Sequence, residues 1–97
     1  MYIKIHETPE QRNIIALCDK ALIGKTLTQG EIELKVSEKF YKGEELNEDK
    51  LSLILKGAIN LNVLGEKAIA FALKCGVISE NNIIKIQGVP HAQSTSS

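Results

Sequence analysis

Several short stretches carry residue types able to do chemistry. Gly24-Lys25-Thr26 has the ending of a phosphate-binding loop, in which backbone N–H groups converge on a phosphate and a lysine neutralises it. The complete motif needs a glycine five residues before Gly24, where the chain has Asp19, whose carboxylate repels phosphate. A tight turn after a strand accounts better for these residues. Cys18, beside Asp19, suggests a nucleophile with His91 or His6 as its base. A reactive thiol needs a depressed pKa, and an adjacent carboxylate raises it. Cys18 also ends the apolar run Ile14-Ile15-Ala16-Leu17, so it reads as a buried, inert thiol. Cys18, Cys75, His6 and His91 supply metal-ligand types without the paired short spacings of zinc motifs, so neither a metal nor a cofactor is expected.

Two other stretches are candidate contact sites. Asn62-Val63-Leu64-Gly65-Glu66 reads as a helix start that presents free N–H groups to an anion, or simply as a capped helix in which Gly65 allows close packing. In Gly88-Val89-Pro90-His91-Ala92-Gln93, proline favours an extended Val89 and sets His91 and Gln93 on one side of the chain, beyond the last periodic apolar residue. The candidate binding residues are therefore Asp19, Lys25, His91 and Gln93, with Asp19 and Lys25 on a loop that the tail can approach.

Positioning these residues is the work of one small core. The chain has 97 residues, 43% of them hydrophobic, enough for one stable domain that buries a little over about 60% of its unfolded surface. Twelve basic residues balance twelve acidic ones, so no global field draws the chain to nucleic acid or an anionic membrane. Arg12 is the only arginine, which disfavours bidentate readout of phosphates and bases. Any nucleic-acid affinity must come from local lysines, Lys20 and Lys25 among them, and must be weak and salt-sensitive. Met1-Tyr2-Ile3-Lys4-Ile5-His6 lacks a basic region followed by a long apolar stretch and does not read as a leader peptide, and no run of about 18 apolar residues is present to span a bilayer, so a cytoplasmic location is expected.

Period-two alternation at Tyr2 to His6 predicts a strand, and the apolar stretch Asn13 to Cys18 a central strand hairpinned to it through turn residues Thr8 to Gln11. Asp19 to Gly30 reads as a structured loop with one helical turn. Glu31 to Ser37 alternates with Ile32, Leu34 and Val36 toward the core. Asn47 caps a helix running to about Gly57, with Leu51, Ile54, Leu55 and Ala58 on one face. A second helix begins after Asn60 or Asn62 and stops at Gly76. Ile83 to Gln87 is a short strand, and Ser94 to Ser97 a flexible Ser/Thr tail after a single domain over 1–93. The expected class is α+β: a mainly antiparallel sheet of about four strands with two helices on one face, in the order β-β-β-α-α-β.

Four patches together resemble an archaeal family catalogued as domain of unknown function 424. They are Cys18-Asp19 with Leu22-x-Gly24-Lys25, Val36-Ser37-Glu38-x-Phe40-Tyr41, Asn62-Val63-Leu64-Gly65-Glu66, and Gly88-Val89-Pro90-His91-Ala92-Gln93. The resemblance spans about Tyr2 to Gln93. It implies a setting near translation and ribosome biogenesis, hence ribosomal or translation-factor components or RNA as partners, and transfers no site residues. A non-enzymatic binding module is the reading that follows. Its rivals are a small enzyme using Cys18, Asp19, Lys25 and His91, and a protein-only adaptor with Phe40 and Tyr41 as an exposed aromatic anchor.

Overall fold

The computed structural model describes residues 1–9 and 13–95. The α+β class is as expected, but the number and order of elements are not. Among the described residues, seven strands and three α-helices replace the anticipated four and two. Strands β1 (Tyr2–His6) and β2 (Ile14–Cys18) form the antiparallel hairpin read from the sequence, although residues 10 and 11 of the proposed turn lie outside the described residues. The loop after β2 holds one 3₁₀ turn, Lys20–Leu22, but its second half is strand β3 (Thr26–Gln29), antiparallel to β4 (Ile32–Lys35). A four-residue α1 (Glu38–Tyr41) follows, with the Ser37 hydroxyl accepting from the Phe40 N–H. Next comes α2 (Glu48–Lys56), where the Asn47 side chain accepts from the Lys50 N–H at 2.9 Å as its sequence signature predicted.

The largest correction concerns residues 60–64. Their sequence predicts the approach to a helix, yet Asn60–Leu64 is strand β5, and helix α3 begins only at Glu66 and runs to Lys74. The asparagines that suggested caps alternate instead with buried Leu61 and Val63, a period of two. The helix does stop where expected: at Gly76 (φ 74°), the Gly76 N–H donates to Leu73 and the Val77 N–H to Ala72, closing a Schellman turn. A second correction concerns the tail. Val89–Thr95 is strand β7, paired on one side with β5 and on the other with β6 (Ile83–Ile86). Ser94 and Thr95, expected to fray, oppose Leu61 and Asn60 in that ladder, while Ser96 and Ser97 lie outside the described residues.

The main sheet therefore runs β1-β2-β5-β7-β6, antiparallel except for the parallel β2–β5 pair. One face, bearing Ile3, Ile15, Leu17, Leu61, Val63 and Ala92, packs against Leu51 and Leu55 of α2 and Ala68, Ile69, Phe71 and Ala72 of α3. The two longer helices thus share one face, as anticipated. The other face carries Ala16, Cys18, Leu64 and Ile86 beneath Leu27, Val36 and Tyr41 of the β3–β4 hairpin and α1. Of the three residues assigned to the core of β4 and its flank, Val36 is buried and Leu34 half-buried, but Ile32 is 50% exposed, because the hairpin overhangs the sheet edge. Two reciprocal bonds fasten the hairpin there: Thr28 N–H to Gln87 Oε1, 2.9 Å, and Gln87 N–H to Gln29 Oε1, 2.8 Å.

Leu17 is fully buried at the centre of the helix-covered face, whereas Leu53 on α2 is 75% exposed. Leu17→Ala should lower unfolding free energy by about 2–5 kcal/mol, and Leu53→Ala by no more than about 0.5 kcal/mol. Urea denaturation of both variants measures the contrast, and equal losses would overturn this assignment of the core.

Candidate functional site

The four residues singled out from the sequence go to different places. Asp19 directly follows β2 and turns its carboxylate under α3: Oδ2 accepts from the Lys67 N–H at 3.0 Å and Oδ1 from the Ala68 N–H at 2.7 Å. The helix N-terminus, read as a possible anion site, thus already holds an anion from the protein itself. Gly65 (φ 110°) makes this possible, since a Cβ there would overlap the Asp19 carboxylate. Lys25 is exposed in the turn before β3, where its backbone bonds Leu22 and Val36. The Gly24 N–H likewise bonds the Val36 carbonyl, which is turn geometry rather than a phosphate cradle. Lys20, expected to serve a phosphate-binding cluster, pairs with Glu45 at 2.9 Å and sits 5.7 Å from the centre of the Tyr2 ring.

His91 and Gln93 do come together, on the sheet face opposite the Asp19 carboxylate. His91 is not a surface group: it is 7% exposed on interior strand β7, and burial pushes its pKa below the usual 6.5. Its Nε2 lies 3.2 Å from Asn62 Oδ1, which also accepts from the Tyr41 hydroxyl at 2.9 Å. An amide oxygen only accepts, so the neutral imidazole carries its proton on Nε2. Burial pushes the Tyr41 phenol up to about 12, so it stays a donor. Tyr41 is 2% exposed, which removes it from the aromatic anchor imagined for an adaptor; Phe40 alone stays partly accessible.

The hairpin and α1 cover only part of this face. Where they stop, a cleft of ≈ 360 Å³ opens between Phe40 and β7, lined by Ile14, Asn60, Asn62, Gln93 and Thr95 among others. A second cleft of similar size continues past Gln93 to His91, Ile84 and Ile32. In the ladder Asn62 opposes Gln93 and Asn60 opposes Thr95, so four uncharged hydrogen-bonding side chains form a square on one face. Phe40 is braced from behind by His6, whose ring stacks on it at 4.4 Å and 16° and whose Nε2 bonds the Phe40 carbonyl at 2.8 Å. Asn60 and Asn62 were not among the sequence-derived site residues. The signal that reveals them is the polar/apolar alternation of Asn60-Leu61-Asn62-Val63, visible once the segment is read as a strand.

Cys18 lies below this surface. It is fully buried, and burial, followed by the Asp19 charge, pushes its thiol up to about 12. Cys75 is half-buried. Among the described residues no cluster of three potential metal ligands occurs, and no helix is long and apolar enough to cross a membrane.

A family model for a protein of unknown function (DUF424) matches residues 6–96. The chain belongs to this family. The crystal structure of an uncharacterized conserved protein from Methanopyrus kandleri is similar at 30% identity and a TM-score of 0.81, over 96% of this chain and 88% of that one. No curated protein matches. The fold of this DUF424 chain is thus one that an archaeal relative shares.

Two outcomes follow from the site. Asp19→Ala removes both acceptors at the start of α3 and should cost about 1 kcal/mol, up to about 2, with Asp19→Asn losing less; urea midpoints rank the three proteins. His91 resists protonation when folded but takes a proton near 6.5 when unfolded, so its contribution is complete above that pH and declines as pH falls below it. Unfolding free energy measured from pH 7.5 to 5.5 should therefore drop more steeply in the native protein than in His91→Gln. Identical slopes would show that burial of this imidazole has no such consequence.

Proposed function

We propose that this chain is a non-enzymatic binding module that works with components of translation or RNA handling, and that its contact surface is the uncovered part of the sheet around Gln93. The observation that carries the binding surface is the square formed by Asn60, Asn62, Gln93 and Thr95 beside a braced Phe40. Uncharged amides and a hydroxyl next to an aromatic ring make directional contacts without needing a net field, which suits a chain whose formal charge is zero. The partner class is carried over from the family resemblance.

The enzymatic alternative draws less support. A thiol raised to about 12 is a poor nucleophile at neutral pH, and its neighbour Asp19 is committed to two backbone N–H groups of α3. His91 engages Asn62, not Cys18.

Affinity purification from the native organism, with and without RNase, tests the proposal. Recovery of ribosomal or translation-factor components is expected, and it should be lost in Gln93→Glu at an unchanged thermal midpoint. Recovery that Gln93→Glu does not alter would place the contact elsewhere, and a protein purified without partners would overturn the module.

A further inference from the structure

The chemistry of the cleft narrows what it can hold. Asn62 Oδ1 is engaged by both Tyr41 and His91, which fixes the carboxamide plane. Its Nδ2 has no hydrogen-bond partner among the described residues, and no side-chain nitrogen or oxygen is left both buried and unpaired. That N–H pair is therefore a solvent-accessible donor held in place by buried neighbours. Gln93, directly opposite, adds an exposed carboxamide that both donates and accepts. Together they suit a flat, uncharged group whose edge carries a donor and an acceptor side by side, the pattern by which Asn and Gln read bases. The Phe40 ring walls the same cleft and favours an aromatic face over a peptide bond.

Charge is distributed to match. On the far side of the Phe40 ring lies a separate cleft lined by Lys4, Lys39, His6 and Ser37. The opposite end of the surface, past Gln93, carries Glu33. Phosphate is thus favoured across the ring from the amides, whereas Glu33 beyond them pairs with Lys35 at 4.0 Å and sets no such preference. A base in one cleft and a phosphate in the other cannot belong to a compact mononucleotide lying in the amide cleft alone, but they fit consecutive positions of a strand.

We propose that the cleft bounded by Phe40, Asn62 and Gln93 holds an unpaired nucleobase of a single-stranded nucleic acid, with a neighbouring phosphate at Lys4 and Lys39. This rests on the reading of the uncovered sheet as the contact surface and supplies the chemistry of the contact.

Fluorescence anisotropy of the full chain with labelled single-stranded oligoribonucleotides at low salt tests it. Micromolar or weaker binding is expected. Gln93→Ala, at unchanged thermal midpoint, and Phe40→Leu should each weaken it by about tenfold, while Lys39→Ala should lower the salt slope by about one. In the amide-selective NMR spectrum, the side-chain N–H₂ signals of Asn62 and Gln93 should shift on titration. Equal affinity for an abasic oligomer would overturn the nucleobase, and equal affinity for a free nucleoside monophosphate would overturn the strand. Absence of binding, with partner capture in cells still lost in Gln93→Glu, would overturn this inference and leave a protein-facing contact surface standing. Absence of binding together with Gln93-independent capture would overturn both.

Discussion

The contact between the Asp19 carboxylate and the first turn of α3 joins the two halves of the fold. It sits where β2 ends, and three backbone segments meet there: the Asp19 N–H bonds the Leu64 carbonyl, the Gly65 N–H bonds the Pro90 carbonyl, and the carboxylate takes two α3 N–H groups. Parallel strands β2 and β5 have no tight turn to set their register, so a fastening at their common end does what a hairpin does elsewhere. The helix dipole strengthens the bonds because an anion lies at its positive end. Gly65 leaves room for that anion, and β5 can then pass directly into α3 without displacing it.

From this end the sheet acquires two unlike faces. The helix-bearing face is closed by α2 and α3, each with an apolar stripe facing inward. The other is closed near the fastened end by the hairpin and α1, and left open farther along. The buried hydrogen bonds Tyr41–Asn62–His91 fall at the border between covered and open parts. Polar groups at such a border are satisfied from within, and still present an unshared atom outward. The same three side chains thus stabilise the packing of α1 on the sheet and orient the donor that the cleft displays.

Much of this was legible from residue patterns, and the failures have definite physical causes. The β1–β2 hairpin, the Asn47 cap, the end of α3 at Gly76 and the burial of Cys18 are all local signals that tertiary contacts left in force. Strand β5 was hidden because asparagine is a favoured helix cap, so Asn60 and Asn62 before a helical stretch looked like starts; the cap is supplied instead by Asp19, 48 residues from Lys67 in sequence. Long-range capping of this kind has no signature in a single sequence. Strand β7 was hidden by Pro90, a residue rarely found inside a sheet. Here its missing N–H falls opposite Gly65, where β5 has already ended at Leu64, so no ladder bond is lost.

The same reasoning explains why His91 looked like a surface group and is not. A polar residue after a proline near the end of a chain has every local mark of a tail, and only the pairing of β7 between β5 and β6 buries it. Once buried, an imidazole needs a partner, and the neighbouring strand supplies Asn62 two positions along the ladder from Leu64, the residue opposite His91. Gln93, two residues on, points to the same face but lies past the edge of the hairpin, so it remains exposed beside an amide that His91 helps to hold. The alternation of a strand therefore separates one supporting residue from one contacting residue, although the two were indistinguishable as a His-x-Gln pair in the sequence.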